Sequence, residues 1–99
     1  MALFGTEFKS FEDLFEHQIM DLYDAEHRLL EALPKMAAAA SSAELKQAFQ
    51  SHLLETEKHV KRLEQVFTEF GKAPKRETCA AMKGLVAEGD EMIKASAEA

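Results

Sequence analysis

The sequence predicts an all-α chain: one long antiparallel helical hairpin followed by a shorter third helix. Three observations predict it. The composition is rich in Ala, Leu, Glu, Lys and Met, with only 4 glycines and 2 prolines in 99 residues, a helix-forming mixture. Two stretches place apolar side chains at alternating intervals of four and three, the spacing of a helix face packed on a neighbour. Between them Ser41 and Ser42 interrupt the pattern where a short turn would fold the chain back on itself.

Residues 1–9 carry Leu3, Phe4 and Phe8 around Gly5 without a sustained period, and are expected to form an arm laying aromatic rings over a neighbouring surface. Residues 10–99 form one helical domain. Ser10 with Asp13 is an N-cap signal, and Glu12 and Asp13 suit the positive end of a helix dipole, so the first helix runs from about Phe11 to about Ala39. Pro34 lies inside it and predicts a kink or break near Leu30 to Leu33. Ser41 with Glu44 matches a capping box, and the second helix covers about Ala43 to Phe70. Gly71 and Pro74 terminate it. Residues 71–77 form a basic linker through Lys72, Lys75 and Arg76, with charge expected to keep it solvated. Thr78 would cap the third helix, whose stripe is Cys79, Met82, Val86, Gly89 and Ile93.

Charge and composition exclude several classes of function. A net charge of −6 and a pI near 5.2 argue against nucleic acid, which needs a concentrated basic surface. Cys79 is the single cysteine, so neither an intrachain disulfide nor a thiolate cluster can form within one chain, in keeping with a reducing compartment. No window is apolar enough to span a membrane and no signal peptide pattern opens the chain, which makes the cytoplasm the default location. There is no glycine-rich phosphate loop and no nucleophile elbow.

The chemistry resides in polar residues on faces that should be apolar. In the second helix the seam reads Leu45, Ala48, Phe49, His52, Thr56, His59, Leu63, Val66 and Phe70, with Glu55 one turn from both histidines. In the first it reads Phe15, Ile19, Leu22, Glu26, Leu29, Leu33 and Met36. With a turn near Ser41, Glu26 and Glu55 would lie at nearly one height, facing each other inside the bundle. Two buried carboxylates at close range need a shared proton or a cation, and a metal is the economical explanation. Simpler roles compete: Glu55 paired with Lys58 on the surface, His52 and His59 as satisfied core histidines, Thr56 as packing, Cys79 as a small buried hydrophobe, and His17 and His27 as flanking groups.

The runs LYDAEHRLLEALPKMAAAA, ELKQAFQSHLLETEKHVKRLEQVF and CAAMKGLVAEG together resemble the YciE/YciF family of ferritin-like proteins, over nearly the whole chain from Phe11 onward. The resemblance implies a four-helix bundle with a carboxylate-rich centre suited to two metal ions, iron or manganese, and a stress-associated role. Glu26 would match the first-helix carboxylate and His52 and Glu55 the second-helix positions, with His59 as an addition. Two departures stand out. The three-residue interval runs here from His52 to Glu55 rather than from Glu to His, and the family domain is roughly half as long again. One hairpin offers at most Glu26, His52, Glu55 and His59, too few for a dinuclear site, so the bundle is half built. Self-association as a symmetric dimer, or a further C-terminal part, would complete it. The expected function is carboxylate-bridged metal binding, with oxidation of ferrous iron or peroxide scavenging as the activity. The alternative is a non-enzymatic helical assembly module associated with stress.

Overall fold

The computed structural model describes residues 2–3 and 6–98, with side chains over 8–96. Three helices dominate: α1 (Phe11–Ala39), α2 (Ala43–Glu69) and α3 (Ala80–Glu98). They are preceded by a two-residue antiparallel ladder of β1 (Ala2–Leu3) with β2 (Thr6–Glu7), Ala2 opposite Glu7 and Leu3 opposite Thr6. The aromatic arm is described only through Phe8, whose ring meets His17 edge-on at 5.2 Å. The expected packing of Leu3 and Phe4 lies outside the described side chains.

Local chemistry sets the helix ends. Ser10 Oγ accepts from the Asp13 N–H at 3.1 Å while the Asp13 carboxylate accepts from the Lys9 N–H, a reciprocal cap. The second cap is Ser42, not Ser41: its Oγ accepts from Leu45 N–H at 3.0 Å. At the end of α2, Gly71 takes φ +71°, its N–H reaches the Thr68 carbonyl and the Lys72 N–H reaches Phe67. This is the paired closure that a left-handed residue permits. Helix α1 continues through Pro34 without the predicted break. Ala32, Leu33 and Ala37 around it are buried, and their packing holds the segment helical despite the lost N–H.

Helix α1 is the centre of the molecule: α2 packs on one side of it and α3 on another, and among the described residues the Cα atoms of α2 and α3 stay more than 8 Å apart. The core of Ile19, Tyr23, Val60 and Phe67, extended by Met20, Leu30, Leu63 and Val66, belongs entirely to the α1–α2 hairpin. Both helices are turned relative to the seams read from the sequence. Tyr23 is buried where Leu22 was expected, and Leu22 is about half exposed. Val60 and Phe67 replace His59 and Phe70. Thr56 is fully buried and donates to the His52 carbonyl at 2.8 Å, the packing role expected of it. Among the described residues no helix is long and apolar enough to cross a membrane.

Candidate functional site

The hairpin brings Glu26 together with His59 rather than with Glu55. Across it, Phe15 stacks on Phe70, Tyr23 bonds to Glu64, and Glu26 faces His59. These pairs are symmetric about a point near residue 43, beyond the turn centre assumed near Ser41. A turn shifted by about two residues moves the level of each cross-pair by about four, one helical turn, which carries Glu55 away from Glu26. Glu55 is also off the buried face: its side chain is 60% exposed and lies 3.5 Å from Lys58. The geometry therefore does not place two carboxylates face to face inside the hairpin. His52 is exposed too, at the edge of the gap between α2 and α3.

Glu26 keeps its anomaly. Its side chain is 21% exposed, and Oε2 is shut off from solvent without a hydrogen-bond partner. His59 Nδ1 stands 3.4 Å from that oxygen, within ion-pair reach but outside hydrogen-bond geometry. A carboxylate oxygen in that state is a costly feature. One carboxylate and one imidazole therefore converge there. Among the described residues no group of three or more His, Cys, Asp or Glu side chains gathers closely enough to hold a metal ion.

Beside this pair lies a polar cluster built on Tyr23 and Asp24, off the stripe that contains Glu26. The Tyr23 hydroxyl donates to Glu64 Oε2 at 2.8 Å, and its ring packs edge-on against His27 at 4.5 Å and Phe67 at 5.3 Å. Burial and then the Glu64 bond push the phenol above its ordinary pKa, so Tyr23 stays a protonated donor. Asp24, 3% exposed, is more heavily used. Its Oδ2 accepts from Arg28 Nε and from the Cys79 backbone N–H, each at 2.7 Å, and its Oδ1 accepts from Arg76 Nε at 2.9 Å. Burial alone would raise its pKa. The Cys79 N–H and the two guanidinium groups more than offset that and hold it at about 2.

Asp24 anchors the chain just ahead of α3 from a different helix: it accepts from the backbone N–H of half-buried Cys79, the residue before Ala80. The basic linker is correspondingly tied to α1 through Lys72 to Glu16 at 2.6 Å and Arg76 to Asp24, not held apart in solvent. The Asp24–Arg28 spacing of four was a readable sign. Nothing local announced Arg76 and Cys79 as partners.

The family described as "Domain of unknown function (DUF892)" matches residues 10–99. The chain belongs to the DUF892 family. Among its DUF892 relatives, YciF of Escherichia coli (strain K12) is 43% identical over 89 residues, covering 89% of this chain and 54% of YciF. Two solved structures agree with the fold. YcfI from Rhodopseudomonas palustris superposes with a TM-score of 0.84 at 41% identity, over 91% of this chain and 57% of that one. The E. coli stress protein YciF superposes at 0.80 and 44%, over 87% and 55%. This DUF892 chain therefore spans about half the length of the relatives it matches.

Proposed function

We propose that this chain is the metal-binding half of a ferritin-like stress protein, in which Glu26 and His59 supply the first carboxylate and imidazole to iron or manganese. The supporting observation is the buried Glu26 Oε2 without a hydrogen bond, 3.4 Å from His59 Nδ1. A cation between hard oxygen and imidazole donors relieves the cost of that oxygen, and this donor pair suits iron(II) or manganese(II). Two donors do not complete a site. The others come from a second helical hairpin, supplied by self-association as a homodimer or by the part of the relatives that this chain does not span. His52 and Glu55 are exposed on α2, and Glu55 is paired with Lys58, so neither reaches Glu26 within one chain. Bound iron would supply redox chemistry with dioxygen or peroxide; the protein's part is to hold the ion and to keep Tyr23 protonated beside it. The stress role rests on YciF, and the cytoplasm remains the location this reading favours.

Metal analysis of protein purified without a chelating tag tests the reading. Wild type should retain iron or manganese, and Glu26→Ala and His59→Ala should each lose most of it. Equal metal content in all three proteins would refute both ligands.

A second reading, a non-enzymatic assembly module, is favoured by the apolar trough between α2 and α3, where Leu85 and Met92 are 61% and 67% exposed. It predicts self-association in sedimentation velocity that a chelator leaves unchanged, whereas the metal reading predicts that chelation weakens it.

A further inference from the structure

Helix α3 differs from the other two in how it is held. None of its described side chains is fully buried, and its backbone comes close to that of α1 but not to that of α2. Among the described residues no hydrogen bond or ion pair joins 80–98 to either of the other helices. Its polar ties lie in the linker ahead of it, with Lys72 on Glu16 at 2.6 Å and the rest close to the helix start. The Cys79 N–H and Arg76 Nε end on Asp24, and the Glu77 N–H donates to the Met20 carbonyl at 3.1 Å. The linker that delivers the helix is exposed from Gly71 to Thr78. Between its closure on α2 and Glu77 no backbone N–H of that linker is bonded within the chain, so a hinge between Lys72 and Arg76 breaks no backbone bond and leaves the Lys72–Glu16 pair in place.

The helix is also intrinsically weak. Gly84 and Gly89 each cost it about 1 kcal/mol relative to alanine, and an added Cβ at either would meet no atom within 4 Å. No close packing within the chain requires them. By contrast the core of Ile19, Tyr23, Val60 and Phe67 contains no residue of α3. The two parts therefore meet the conditions for separate cooperative units: one with its own buried core, the other attached by a few polar bonds at one end and a partly buried apolar contact with α1.

We propose that α3 is a hinged arm, latched on α1 by Asp24, which opens as a unit while the α1–α2 hairpin stays folded. Opening turns about the 71–79 linker and uncovers the strip of α1 around Leu29, Ala32 and Met36, which with Met82 and Val86 lines the α1–α3 junction. Asp24 is the positioning residue: it holds the first turn of α3 in place and engages Arg76 of the hinge. Arg28, on α1 itself, keeps the carboxylate charged and oriented. Neither a metal nor a second chain takes part in this motion.

Hydrogen–deuterium exchange on the full chain tests it. In wild type the amides of 80–98 should exchange at least tenfold faster than those of the 53–67 segment of α2. Asp24→Asn, which keeps shape while removing charge, should speed 77–98 by a further tenfold or more and leave 53–67 unchanged. Arg76→Gln leaves Arg28 on the carboxylate and should produce a smaller change confined to the same residues. Equal protection of α3 and α2 in wild type would overturn the proposal. So would acceleration of both helices alike in the two variants, which would make Asp24 a residue of one cooperative fold.

Discussion

Asp24 shows how far one side chain's neighbours can reverse the effect of burial. A carboxylate 3% exposed should be protonated more easily than in water, yet three donors lower its pKa from 3.8 to about 2. A depressed folded-state pKa stabilises above the unfolded-state value and stops doing so as pH falls through the folded one. The contribution, on the order of 2 kcal/mol, should be fully present above about pH 5 and be lost between about pH 4 and pH 2. Urea midpoints compared at pH 5 and pH 2.5 measure it, and most of that pH-dependent difference should vanish in Asp24→Asn. Tyr23→Phe removes the donor to Glu64 and should cost about 1 to 2 kcal/mol at neutral pH, read from the same titration. Glu26 is the opposite case, a carboxylate oxygen enclosed without a donor. The intervals of four and three marked it as anomalous. Asp24 escaped because it lies two residues off the stripe and two of its three partners are 52 and 55 residues away.

At the scale of elements, the starts and stops of α1 and α2 were legible because caps and breakers act within four residues. Ser10, Ser42 and Gly71 each satisfy backbone groups that a helix cannot satisfy itself. Gly71→Ala should cost about 1 kcal/mol, since φ is +71°. Gly84→Ala and Gly89→Ala should each raise the helicity of α3 and stabilise it by up to about 1 kcal/mol, because nothing occupies the space of the added methyl. Circular dichroism with urea titration distinguishes the two signs. The phase of each seam was not legible. Period alone defines a stripe along a helix, but the buried arc depends on how many neighbours the helix has. α1 has two, one of them through Asp24, and this turns Tyr23 and Asp24 inward and leaves Leu22 at the surface.

As a whole molecule the chain is long and thin, 51 × 28 × 16 Å with a radius of gyration of 16.3 Å, against about 13 Å expected of a compact domain of this length. Much apolar surface stays open, and assembly in solution should therefore add stability. If self-association fills the trough, the thermal midpoint should climb with protein concentration over a hundredfold range; a constant midpoint would mark a self-sufficient monomer. By itself the sequence determined the helical class, the three elements, the hairpin and the unusual acid at Glu26, because propensity, capping and periodicity act over a few residues. Only the tertiary structure decided which residue faces Glu26 and what anchors the start of α3. A shift of about two residues at the turn replaces Glu55 with His59, and an anchor supplied from 55 residues away leaves no trace in the local pattern of either segment.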